Sequence, residues 1–158
     1  MPKRKYARIA EEHHVVRRCG NQAIERDKLT NAVVGLFPAA MRLREKIKET
    51  YLSANWLEHC DGMKVERLKT IVAIYRKKAE RALSLQSGIA VINAGRIREI
   101  GTANGRNLAV RHTPNRDDPS YSRVSGLPLD NFDDLLIASL VEEAYRDFML
   151  LRDLDALP

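Results

Sequence analysis

The sequence predicts a single α+β domain. It has a small mixed sheet of about four short strands, two long amphipathic helices over about residues 62–83 and 131–151, and a short helix after Asn93. Three observations carry this expectation. Between residues 62 and 83, Val65, Leu68, Val72, Tyr75, Ala79 and Ala82 recur three and four apart, which makes one apolar stripe on a helix. Between 131 and 151, Leu136, Leu140, Ala144, Phe148 and Leu151 do the same, with Asp130 or Asn131 as cap. The other apolar runs are short and bounded by Gly, Pro or Asn, as strands are.

Residues 1–12 carry Lys3, Arg4, Lys5 and Arg8 without apolar periodicity and read as a mobile basic arm before a domain spanning 13–158. Residues 13–19 form a strand candidate closed by Gly20 and Asn21. Residues 32–37 form a second one ended by Pro38, whose missing amide would break a central ladder. These two are expected to pair across the polar connection at 21–30. Residues 39–50 read as a helix, with Pro38 at its first position and Ala40, Leu43 and Ile47 at helical spacing. Trp56, the only tryptophan, reads as core with Leu52 and Leu57.

The stretch 88–114 organises the middle of the chain. Residues 88–92 and 108–112 are short apolar runs, and Asn93 caps a helix whose Ile97 and Ile100 share a face. The connection is long enough for a parallel crossover; an antiparallel pair joined by a loop is the alternative. A long polar connection follows at 115–130, with a short edge strand over 121–124.

Net charge is +6, from 27 basic and 21 acidic residues. The segment 130–158 holds eight acids and two bases, so the rest of the chain is +12. Such a body attracts polyanions, nucleic acid foremost. The acidic C-terminal segment could instead complement it. Two cysteines, Cys19 and Cys60, make no disulfide framework. No apolar run approaches the length of a membrane span, and no secretory signal follows the basic start. A cytoplasmic protein without membrane contact is expected.

Three constellations bear on chemistry. In a crossover, Asn93, Gly95, Arg96 and Arg111 would gather at the carboxyl ends of the strands and hold an anion. The helix at 62–83 presents Arg76, Lys77, Lys78 and Arg81 on a basic face suited to phosphates. In the loop after 112, His112, Asp118 and Ser120 are the candidates for acid–base or nucleophilic work, with Arg123 as a further cation. His13, His14, Cys19, His59 and Cys60 show no metal-ligand spacing, so no metal is expected, and no cofactor is implied.

The reading these features support first is a non-catalytic module that binds nucleic acid through its phosphate backbone. The alternatives are an interaction subunit docking through the acidic C-terminal helix or Trp56, and a small phosphate-handling hydrolase built on the His112 loop.

Overall fold

The computed structural model describes residues 6–79, 82–129 and 134–158. Its centre is a seven-stranded sheet in which every ladder is antiparallel. The strands are β1 (Ala7–Arg8), β2 (His14–Cys19), β5 (Tyr51–Trp56), β6 (Gly88–Asn93), β7 (Ala109–His112), β8 (Tyr121–Ser125) and β9 (Phe148–Leu150). Their order is β1-β7-β8-β5-β2-β6-β9. A separate two-stranded sheet pairs β3 (Ile24–Arg26) with β4 (Val33–Leu36). The helices are α1 (Lys64–Lys78), α2 (Ala94–Ala103), α3 (Asp134–Tyr145) and α4 (Leu151–Asp155).

The class is α+β, but the expected small mixed sheet under two long helices is overturned. Pairing inside the 51–56 and 121–125 segments accounts for most of the difference. Leu52, Ala54 and Trp56 point to one face and Tyr51, Ser53 and Asn55 to the other, the period-two pattern of a strand. Attention to the lone tryptophan hides this alternation in the sequence. The strand at 121–125 sits between β5 and β7 rather than at an edge.

The helix expected over 39–50 is absent. Two 3-10 turns, Pro38–Ala40 and Glu45–Ile47, take its place, and Lys48 adopts a left-handed φ of 53°. Met41 and Leu43 are both buried in the core, and the Glu49 carboxylate closes the segment by accepting from the Arg44 amide (2.7 Å) and guanidinium (3.0 Å). The helix expected over 131–151 breaks after Tyr145. The free edge of β6 recruits β9, with the Val91 amide donating to the Asp147 carbonyl at 2.9 Å. A sheet edge left unpaired is costly to a fold, and that outweighs helical continuation.

Strands at 14–19, 33–36, 88–93 and 109–112 stand where the sequence places them, but β4 pairs with β3, not with β2. The segment after Asn93 is helical, and β6 and β7 run in the same direction. Three strands lie between them, so they do not pair. Of the stretch read as an arm, residues 1–5 lie outside the described residues, Ala7–Arg8 form β1 on β7, and Ile9 is fully buried.

The sheet has two unequal faces. One is covered throughout: α2 and α3 pack on residues drawn from β2, β5, β6, β7, β8 and β9. On the other, α1 and α4 make a smaller core whose strand residues come only from β2, β6 and β9. The same face of β5, β8, β7 and β1 carries polar, half-buried or exposed side chains.

Candidate functional site

Antiparallel register decides what stands on that open half. Arg8 is opposite Arg111, Arg111 opposite Arg123, and Arg123 opposite Ser53, so one row crosses β1, β7, β8 and β5. With strands about 4.8 Å apart, the three arginine backbones span about 10 Å. Like charges placed directly opposite one another destabilise a sheet. The row therefore carries a stability cost that an anion would relieve. Arg8 meets Glu11 at 3.2 Å, while Arg111 donates to the Tyr6 carbonyl at 3.3 Å. Arg123 lies on the Tyr51 ring, 4.1 Å from its centroid, and 5.9 Å from that of Tyr121. Among the described residues neither Arg111 nor Arg123 has an acidic partner. The Tyr121 phenol, and then burial, push the Tyr51 phenol above its ordinary value.

Beside the row lies a cleft of about 600 Å3, between the C-terminal end of α1, strands β2, β5 and β8, and residues 39–44. The β2–β5 ladder holds only at Val15 and Val16. Past that point the Arg17 guanidinium fills the gap, donating to the Ala40 carbonyl (3.1 Å) and the Ser53 carbonyl (3.0 Å). Among the described residues no carboxylate lies within ion-pair distance of it; burial pushes it below its ordinary value, and Glu49 acts the other way from farther off. Arg18, Arg44 and Lys78 stand at the walls.

The floor is a closed polar network. Asn55 donates to both Asp118 oxygens (3.0 and 2.8 Å) and to Ser120 Oγ (2.8 Å), and accepts from the Tyr75 hydroxyl (2.8 Å). Ser120 Oγ donates to Asp118 Oδ1 at 2.9 Å, and Lys78 Nζ reaches Oδ2 at 3.4 Å. Burial raises the Tyr75 phenol well above its usual range, so this hydroxyl stays protonated.

No protein family, curated protein or solved structure matches this chain.

Of the acid–base candidates, Asp118 and Ser120 meet in that network, but His112 does not join them. Its side chain belongs to the opposite, α2-covered face, in register with Ser122. The His112 ring donates from Nε2 to the Pro119 carbonyl (2.6 Å) and packs 5.0 Å from both Trp56 and His59. Trp56 in turn donates to His13 Nδ1 at 3.1 Å. Among the described residues no imidazole reaches Ser120, and its hydroxyl donates instead to the Asp118 carboxylate.

The anion site expected around Asn93 is already filled by the protein. Asn93 caps α2 by accepting from the Arg96 amide at 2.8 Å. The Ala94 and Gly95 amides donate to the His13 and Glu11 carbonyls, and a Cβ at Gly95 would come within 2.9 Å of Glu11 O. Arg96 is paired with Glu99 and Glu143. Arg111 stands on β7, which three strands separate from β6 in the sheet.

The basic face of α1 is partly neutralised. Arg76 is bidentate to Asp155 (3.1 and 2.7 Å), Lys64 meets Asp147 at 2.6 Å, and Lys69 donates to the Leu157 carbonyl. Lys77 is exposed, and Arg81 lies outside the described residues. Both cysteines are buried and unpaired; burial pushes Cys19 up to about 11 and raises Cys60, the reverse of an activated nucleophile. Among the described residues no cluster of His, Cys, Asp or Glu could hold a metal ion, and no helix is long and apolar enough to cross a membrane.

Sequence reasoning missed Arg17, Arg18, Tyr51 and Asn55 as site residues. The signal was the alternation at 51–56, which puts Tyr51, Ser53 and Asn55 on one face. The partner strands that complete that face could not be read locally.

Proposed function

We propose that this protein is a non-catalytic module that binds single-stranded nucleic acid, with the phosphate backbone held on the open half of the sheet. The observation that carries it is the register row Arg8, Arg111 and Arg123 on an uncovered face. Guanidinium groups suit phosphate, since each presents several donors in a fixed fork. A flat face with Tyr51 and Tyr121 beside the cations suits a single strand, whose bases need aromatic surface. The row replaces the basic helix as the main contact, because most of the helix's charges have partners.

The test is fluorescence anisotropy with labelled single- and double-stranded DNA and RNA. Three phosphate contacts on a single strand give a log–log salt slope of about −2, so affinity falls about fifteenfold between roughly 50 and 200 mM salt. Changing Arg111 and Arg123 to Glu should weaken this binding about a hundredfold. Absence of binding at the lower salt would overturn the reading.

One observation favours a protein partner instead. The small β3–β4 sheet leaves Leu29, Val34 and Phe37 exposed, with Leu135 exposed on α3, the helix that packs against β4. Co-purification of a stoichiometric protein, lost on changing Val34 and Phe37 to Ser, would favour that role.

A further inference from the structure

The cleft beside the arginine row does more than extend it. Arg17 is a half-buried cation held by two carbonyl oxygens, with no carboxylate within ion-pair distance among the described residues. Among the described residues its Nη2 takes no hydrogen bond. The Glu49 carboxylate acts on Arg17 only from beyond ion-pair distance, and a partly desolvated charge of this kind is stabilised most by the ligand bringing the most negative charge. Arg18, the next residue of β2, is exposed and has no partner among the described residues; it stands where the strand has parted from β5. Lys78 is only loosely tied to Asp118 at 3.4 Å, and Arg44 is shared with Glu49. Asp118 also lines the cleft, but its two oxygens are occupied by Asn55, Ser120 and Lys78.

The shape also matters. The row is open at β1, the edge of the sheet. At its other end it meets Ser53, which lines the cleft, and the cleft is walled by residues 20–23 and 39–40. A strand crossing the row runs into this wall. The volume of about 600 Å3 falls in the range of small-ligand pockets and holds about one nucleotide.

We propose that the cleft takes the terminal phosphomonoester of the strand whose backbone crosses the Arg8–Arg111–Arg123 row, so that the protein binds strand ends. This rests on the nucleic-acid reading above. A phosphomonoester carries about −1.5 to −2 charge near neutral pH and three acceptor oxygens, as the second ionisation of a phosphate dictates. An internal diester carries a single charge. Arg17 supplies the half-buried charge, Arg18 and Lys78 close around the free oxygens, and Tyr121 offers its ring to the terminal base.

The experiment compares one short oligonucleotide sequence in four forms at low salt: 5′-phosphorylated, 3′-phosphorylated, hydroxyl at both ends, and circular. One phosphorylated form should bind at least about tenfold tighter than the hydroxyl-ended form, the equivalent of about 1.4 kcal/mol. Arg18→Ala should bring the ratio of phosphorylated to hydroxyl-ended affinity down to about one, since an exposed rim residue can be cut back without unfolding the protein. Arg17→Met should do the same if the variant remains folded by circular dichroism. Equal, salt-sensitive binding of all four forms would overturn end recognition and leave the nucleic-acid reading standing. No binding of any form would overturn both. Saturable binding of adenosine monophosphate, with the four strand forms still equal, would assign the cleft to a small ligand and overturn end recognition.

Discussion

Two basic regions of this protein have similar composition and opposite electrostatic standing. On α1, Lys64 and Arg76 meet Asp147 and Asp155 from the C-terminal segment. On the open half of the sheet, Arg111 and Arg123 face each other across a ladder with no acid between them. The acidic tail that makes the sequence look bipolar is the counterion of the helix. Charge counts therefore point to the helix, whereas pairing points to the sheet. A cation with a partner contributes a little to stability, while one without a partner is available to a ligand.

The comparison breaks most sharply under charge reversal. Changing Arg111 and Arg123 together to Glu should weaken strand binding about a hundredfold, or about 2.7 kcal/mol, while Arg76→Glu with Lys77→Glu should cost less than about threefold. Anisotropy on both double variants reads this directly, and equal losses would erase the distinction. The boundary between the regions is Lys78, tethered to Asp118. Asp118→Ala strands Asn55 and Ser120 in a buried site, releases the exposed Lys78, and should lower unfolding free energy by about 2 kcal/mol in denaturant titration.

Smaller effects sharpen the contrast. Arg8→Ala removes one phosphate contact and should make the salt slope shallower by about 0.7, with mutation of Lys64 leaving it unchanged. The smallest is Asp155→Asn, which frees Arg76 at a cost of about 0.5 kcal/mol, because both partners are largely in water. Arg76 holds the Asp155 carboxyl below its ordinary value. Its contribution is thus complete above the unfolded carboxylate range and is lost as pH falls through the lower folded value. A melting temperature that drops with acidification less in Asp155→Asn than in the parent checks the sign.

Much of the covered face was legible in the sequence. Leu136, Leu140 and Ala144 are buried on α3 as their spacing implies, and Asn93 caps α2. Spacing fails at Phe148 and Leu151, which continue the helical stripe of α3 yet belong to β9 and α4. Nothing local distinguishes a stripe that continues from one that resumes by coincidence after a break. The open face was legible only in fragments. Arg111 and Arg123 stand out in the sequence as cations, but their alignment depends on which strands pair. That is fixed by contacts between segments as far apart as 7–8 and 109–112. His112 and Ser120 lie eight residues apart in a line of text and on different faces of the folded sheet.

The edge strand β1 is two residues long, and its pairing closes a loop of about a hundred residues. It is the segment most easily lost by local opening, and Arg8 leaves the row with it. A ligand bridging Arg8 and Arg111 would stitch this edge down. The amide of Ile9, which donates to Val110 O at 3.1 Å, becomes a reporter of occupancy: its hydrogen exchange slows as the row fills. Folding of the last strand and loading of the site are then one equilibrium, seen from two ends.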